Sequence, residues 1–553
     1  MFKPLVRFAA GPVLLAGAVI GFLAPGALRA QKAEKPTFVI RVASIDTLMG
    51  HVFHIAKIIG REGEVQMAES LLKNFTGGGG IEGLDPKKPW GMYGKIGPGG
   101  IDSEGVLLLP ISDQKKFLAF LEKLGQKAEE KKGIYTLNID QSPFPLFFRF
   151  EKGYLWGTIR DEKSIEPASL PDTGELLSAS KTGAMSLTFD FSAIPEEIKK
   201  MVVGQIEVAM SQAKEKAIEE KDPVKRKGQL VGADAAGKTI VQVLNEGGEL
   251  SLKLDLEKPS NDLAIELSFA GKSGSQLARD IVNLGARKGV SGGLVGPDSA
   301  YYLGMNLGLS EKFTKLLVES YNQGVADALA NEKDPKKQEM GGKVADAFRG
   351  LLSTGVLDYG ADIRGPDAKG KYNIIGAIGF PDARKVESLI RELRNEIPEM
   401  AQAIQLDVAK TDKVTIHRVT IEPLPKEISD IVGKTPILVG FSDEAVYFGL
   451  GSDGQKNIEK QAEKGKTASP LFAFDMHLAK LVNIFSKADP KMIAAATKAF
   501  DGKSASDLIE VKVASGDKIV VRGSLKTQVI AFFSLLAPKQ GEDSKNGAPK
   551  RDQ

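Results

Sequence analysis

The chain has 553 residues, 42% apolar and 26% charged, which is the composition of a folded globular protein long enough for several domains. Lys+Arg 74 against Asp+Glu 71 leaves a net charge of +3 with both signs interspersed, so no domain-wide field favours nucleic acid. The absence of cysteine excludes disulfides, thiolate nucleophiles, iron–sulfur clusters and Cys-based zinc sites.

Lys3 and Arg7 precede an apolar run from Phe8 to Ala24, and Pro25, Gly26, Ala27 and Ala30 follow it. This is the layout of a secretory signal over residues 1–30, with cleavage expected after Ala30. The chain is therefore expected to be exported, periplasmic or extracellular, with an envelope or extracellular partner. Membrane attachment is expected only if the N-terminal segment stays uncleaved. At the other end, residues 538–553 carry almost no apolar side chains and read as a disordered tail.

Between these ends the chain repeats. Gly105-Val-Leu-Leu-Leu-Pro110 reads as a buried strand, Asp113 as a helix N-cap, and Phe117, Leu118, Phe120, Leu121 and Leu124 as a helical stripe. Asn373-Ile-Ile-Gly-Ala-Ile378, Asp382 and the stripe Val386, Leu389, Ile390 and Leu393 repeat the pattern. Asp382, Val386, Leu389, Ile390 and Leu393 each follow their counterparts by 269 positions. Tyr93-Gly94 before Gly97-Pro98 is echoed by Tyr359-Gly360 before Gly365-Pro366. Phe148 to Trp156 and Pro436 to Phe448 each read as a hairpin. Leu187-Thr-Phe-Asp190 and Phe472-Ala-Phe-Asp475 each lead from a strand into a helix. Both halves close with strand pairs, Leu250 to Leu256 with Leu263 to Ala270 and Leu508 to Val513 with Lys518 to Gly523, each followed by an amphipathic helix.

The pattern predicts an α+β protein of two homologous domains, 35–287 and 298–537, joined by a Gly-rich linker 288–297. Each is expected to be a largely antiparallel sheet with helices packed on one face. A Lys- and Glu-rich helical insertion is expected at about 196–246 in the first domain.

Gly232-Ala-Asp-Ala-Ala-Gly237-Lys238-Thr239 matches the phosphate-loop string and nominates Gly232, Gly237, Lys238 and Thr239 as cofactor-binding residues of a nucleotide hydrolase. The residues before it, Asp222 to Val231, do not read as the buried strand that such a loop leaves. A turn between two helices is therefore the expectation. Gly449-Leu-Gly451-Ser-Asp-Gly454 follows a strand like a dinucleotide fingerprint, but that strand is the second arm of a hairpin. His51 and His54, three apart on a predicted helix, are metal-ligand candidates, whereas His417 on a predicted strand and His477 after one read as unaccompanied by a carboxylate cluster at ligand spacing. Ser112-Asp-Gln-Lys115 resembles a Ser-x-x-Lys motif but is accounted for as a helix cap, and Gly77 to Gly80 reads as a flexible loop. No catalytic residue and no cofactor emerge from the sequence.

Leu84-Asp-Pro-Lys-Lys-Pro-Trp90-Gly91, followed by the strand-to-helix junction ending at Asp113, resembles large exported bacterial proteins of planctomycete type that carry no assigned function. The resemblance implies an export signal and duplicated domains, and it supplies no catalytic residues. The sequence thus points to an exported, non-catalytic binding or envelope-associated protein, with the nucleotide hydrolase as the alternative.

Overall fold

Leu250-Ser-Leu-Lys-Leu-Asp-Leu256 alternates apolar and polar side chains, which places every leucine on one face of a strand and every polar residue on the other. Strands of this kind dominate the molecule. The computed structural model describes residues 35–537 except 76–80, 101, 139–143, 160, 286, 421–423, 486–489 and 501–505. The expected signal segment, the Gly77 to Gly80 loop and the tail 538–553 lie outside the described residues.

The first half contributes β1 (Phe38–Val42), β2 (Trp90–Lys95), β3 (Glu104–Pro110), β4 (Glu129–Lys131) and β5 (Ile134–Leu137). It continues with β6 (Leu146–Glu151), β7 (Tyr154–Thr158), β8 (Met185–Asp190), β9 (Gly247–Glu257) and β10 (Asp262–Gly271). After a short β11 (Lys288–Gly289), the second half adds β12 (Ser299–Gly308), β13 (Val356–Arg364), β14 (Asn373–Gly379), β15 (Ile404–Lys410) and β16 (Thr415–Val419). It ends with β17 (Ile437–Phe441), β18 (Ala445–Leu450), β19 (Thr467–Ala468), β20 (Phe472–His477), β21 (Leu508–Ser515) and β22 (Ile519–Lys526).

All pairings among these strands are antiparallel. The first half runs β4-β5-β6-β7-β3-β2-β1-β8-β9-β10 across its sheet. The second runs β15-β16-β17-β18-β14-β13-β12-β20-β21-β22, the same order position by position. The two arms join where β10 pairs with β22, from Asp262 opposite Lys526 to Phe269 opposite Ile519. The expected pair of sheets is therefore one sheet of 20 strands, with β4 and β15 at its edges. Asp407, at φ 54 in an irregular stretch of the β15 register, interrupts one of those edges, as a bulge does against edge-to-edge pairing.

The helices also recur in place. Between β1 and β2 lie α1 (Ile45–Ile59) and α2 (Glu62–Phe75), and α3 (Gln114–Lys123) follows β3. Between β8 and β9 lie α4 (Glu196–Ile218) and α5 (Pro223–Glu246), and α6 (Gln276–Gly285) follows β10. The second half has α7 (Glu311–Ala330) and α8 (Pro335–Ser353) after β12, and α9 (Ala383–Glu396) after β14. It adds α10 (Gly454–Lys464) after β18, α11 (Leu478–Phe485) and α12 (Lys491–Phe500) between β20 and β21, and α13 (Thr527–Leu536) after β22. The expected insertion at 196–246 is thus a longer helix pair in a connection that carries helices in both halves.

The stripes predicted after Asp113 and Asp382 form α3 and α9. The Asp113 side chain accepts the Lys116 N–H at 3.1 Å and caps α3. Phe117 is buried, and Leu118 and Leu121 pack with it on Phe148 and Leu155, but Leu124 is exposed because the chain leaves the helix at Gly125, φ 79. Asp382 makes no such cap. It sits at φ 56 and its carboxylate pairs with Lys385 at 2.8 Å, while Val386 and Ile390 pack on Val439 and Phe441.

Two further expectations are corrected. Tyr93 is buried beside Val39, whereas Tyr359 stands on the opposite, exposed face opposite Met305, so the Tyr-Gly echo does not mark equivalent sheet positions. The position in β13 that matches Tyr93 is Asp362, since Tyr93 pairs with Val106 as Asp362 pairs with Ile375. The segment 288–297 is not a free linker. Val290 and Leu294 are buried under the second half, with Leu294 Cδ1 only 2.7 Å from where a Cβ on Gly360 would stand, so glycine makes room for it. The Asp358 carboxylate accepts the Val290 N–H at 3.0 Å. Ile458 and Ala462 of α10 pack on the same side, so the outer part of this half is covered on both faces.

Candidate functional site

Because paired residues share a face, the register carries side chains across the sheet as rows. One row is Ile40, Leu187, Leu252, Leu267, Val521, Val513, Phe472, Met305 and Tyr359, on nine adjacent strands from β1 to β13. The next is Val42, Met185, Leu254, Ile265, Gly523, Val511, Phe474, Leu303 and Ala361. Neither row contains a charged residue. The reverse face of the same strands carries a charged row, Lys253, Glu266, Arg522 and Lys512, with Arg522 3.7 Å from Glu266.

A sheet with one apolar face normally buries it. Here Met185, Leu187, Leu252, Ile265 and Leu267 are each 37–51% exposed, on three neighbouring strands. Among the described residues, helices cover only the surroundings. At one bank Met476, Ile509 and Leu525 pack under α11, α12 and α13, joined by Ile58 and Ile59 of α1. At the other bank α6 sits on the ends of β10 and β21, where Ser515 Oγ bonds the Ile281 carbonyl, and Phe189, Phe191 and Phe269 cluster beside it. The sheet beyond β1 is covered by α3 and the sheet beyond β13 by α9. The two rows form the floor of a trough between these helices, about 38 Å from β1 to β13 at the usual strand spacing, with Val42 buried at its β1 end.

A second constellation lies under α9. Arg384, Glu387 and Arg391 share one helix face, and His417 on β16 and Asp407 on β15 meet them. Arg391 bonds Glu387 at 2.7 Å and both Asp407 oxygens at 2.8 and 2.5 Å, while Arg384 reaches Glu387 at 2.9 Å. Burial works against the charge of Glu387, but the two guanidinium groups hold its carboxyl below the ordinary range. Arg391 does the same for Asp407. His417 Nδ1 accepts the Asp407 N–H at 3.0 Å, so the ring proton sits on Nε2, which faces Glu387 Oε1 at 3.4 Å outside hydrogen-bond geometry. Burial, with Arg391 nearby, pushes the imidazole pKa down and keeps it neutral.

Glu387, Asp407 and His417 are close enough for a shared cation. Their chemistry does not fit one. Arg391 already neutralises both carboxylates, and the only free imidazole nitrogen carries the proton. The cluster works as an ionic clasp between α9 and the sheet edge. In the first half Tyr135 takes the place of His417, pairing with Phe148 as His417 pairs with Val439, and it stacks on Phe148 within an all-apolar cluster. Sequence periodicity passed over Glu387 because it lies inside an apolar stripe. The legible signal was Arg384-x-x-Glu387-x-x-x-Arg391, which places three charges on one helix face.

The residues nominated by motif are dispersed. Gly232 to Thr239 lie within the continuous helix α5, not in a turn, so their amides serve the helix and cannot cradle phosphate. Lys238 is exposed and pairs with Asp234 at 3.1 Å, which also draws Lys312 and Lys214. Hydrogen bonds from Lys238 and Lys312 hold the Asp234 carboxyl down to about 2. His54 Nε2 meets Asn261 Oδ1 at 2.9 Å and His51 Nδ1 is buried without a partner, so α1 does not bring the two together as ligands. Gly449 to Gly454 joins the hairpin strand β18 to α10, and Gly451, φ 97, turns against Asn373 rather than toward a cavity. Asp113 caps α3 as expected. No described helix is long and apolar enough to cross a membrane.

No protein-family model matches the chain, and comparison with curated proteins and with solved structures finds no match.

Proposed function

We propose that the chain is an exported, non-catalytic binding protein that holds an apolar ligand in the trough between β1 and β13. The observation that carries this reading is the pair of uninterrupted apolar rows with five large aliphatic side chains substantially exposed. Apolar patches beyond a few hundred Å² on a soluble protein mark binding sites more often than chance, because leaving them wet costs free energy. The two nearly equal halves, with one strand order, are read as copies of a single ancestral unit whose junction at β10 and β22 lies in the trough floor. Export and the envelope setting rest on Lys3, Arg7 and the apolar run Phe8 to Ala24.

The apolar fluorophore N-phenylnaphthylamine tests the reading. Its emission should rise with the purified chain, and Ile265→Glu together with Leu252→Glu should abolish the rise while leaving the circular dichroism spectrum unchanged. Lys512→Gln on the reverse face should leave binding intact. Equal emission from all three proteins would place the apolar site elsewhere. For export, N-terminal sequencing of the mature chain should begin near Gln31, and a full-length cytoplasmic product refutes the address.

A further inference from the structure

We infer that the occupant of the trough is the hydrocarbon chain of a lipid, an inference that rests on the binding reading above. The floor offers an occupant nothing but dispersion and the hydrophobic effect. Its backbone N–H and C=O groups are spent in ladders on both sides of each strand, and its side chains from Ile265 to Phe474 donate and accept nothing. A peptide lying extended there would bury its own amides without partners, at about 1–3 kcal/mol each. An alkyl chain has no such groups to satisfy.

Size and relief argue the same way. Two rows about 14 Å wide and about 38 Å long give a floor of roughly 500 Å². A stable protein interface needs about 800 Å² on each partner. The floor is also recessed, because α6 on one bank and α11 to α13 on the other stand about a helix diameter, roughly 10 Å, above the sheet. A second copy of this sheet packs at about 10 Å and would meet the helices first.

The length suits two acyl chains laid end to end, which is what spans the roughly 30 Å core of a bilayer. The two halves place corresponding helices, α6 after β10 and α13 after β22, on the two banks. Ile281 and Phe532 are the buried anchors of α6 and α13, and the residue after each, Val282 and Phe533, stands half-exposed on its bank. Each half thus carries one exposed apolar residue next to the buried anchor of its bank helix.

The test uses the full mature chain and the fluorescent fatty acid cis-parinaric acid, with oleate and phosphatidylglycerol vesicles as competitors. Parinaric emission should rise on mixing, be displaced by oleate and by lipid drawn from the vesicles, and weaken at least about tenfold in Ile265→Glu with Leu252→Glu. Lys512→Gln should bind as the parent does, and an unchanged thermal midpoint of the double variant separates lost binding from lost fold. If N-phenylnaphthylamine binds the trough but parinaric acid does not, the lipid assignment fails and the binding reading stands. If neither binds, both fail. Sedimentation showing a dimer that Ile265→Glu dissociates would overturn the assignment in favour of a second copy.

Discussion

His417 accepts the backbone N–H of Asp407 at 3.0 Å, and Asp407 holds that N–H in place from a left-handed backbone, φ 54. A protonated imidazole has no acceptor, so charging His417 and keeping this bond are incompatible. The folded-state pKa is depressed by burial and by Arg391, so the folded chain binds fewer protons than the unfolded chain below pH about 6.5. Stability should therefore fall as pH drops through that region, and the lowered carboxyls of Glu387 and Asp407 should extend the loss below pH about 4. Thermal midpoints between pH 7.5 and 5.5 measure the histidine part. His417→Asn keeps an acceptor for Asp407 and should flatten the slope, and an unaltered slope assigns it to other groups.

The clasp also predicts an asymmetry between its partners. Arg391→Leu removes the bonds to both Glu387 and Asp407 and should cost about 1–3 kcal/mol in urea unfolding, since buried Glu387 keeps only Arg384. Arg384 and Arg391 are both more than a third exposed, which limits the loss. Arg391→Lys should recover only part of it, because an ammonium cannot bridge two carboxylates with a guanidinium's geometry.

Leu294→Ala should cost about 2–5 kcal/mol, the cost of a cavity in a core, although the residue lies in what reads as a glycine-rich linker. Leu267→Thr, on the trough floor, should cost less than about 1 kcal/mol because much of Leu267 is already wet. Equal costs in denaturant unfolding would mean that the trough is a closed core.

Gly232→Ala separates a helix from a phosphate loop by the sign of its effect. A Cβ at Gly232 meets nothing within 4 Å, so in α5 the substitution should stabilise by about 0.4–1 kcal/mol. In a phosphate loop it would cripple binding. Lys238→Ala should stay within about 0.5 kcal/mol of the parent, and Mg-ATP should not raise the melting temperature of either protein.

Local pattern determined much of this molecule. The alternation from Leu250 to Leu256 specifies a strand with one apolar face, the spacing of Phe117, Leu118 and Leu121 specifies a helix docked on its own hairpin, and the recurrence at 269 positions aligns α3 with α9. All of these follow from the periods of helix and strand, which are properties of neighbours in sequence. The tertiary structure decided the rest. That β10 pairs with β22 depends on edges meeting across some 250 residues, and no period encodes it. That Leu294 is core while Ile265 is wet depends on which elements fold over which face, a matter of topology rather than of residue type. That Glu387 is buried inside an apolar stripe depends on Arg384 and Arg391 arriving to offset its desolvation. The GADAAGKT string became helix for the same reason, since the helix pair α4 and α5 supplied packing that a loop lacks, and context overrode the motif.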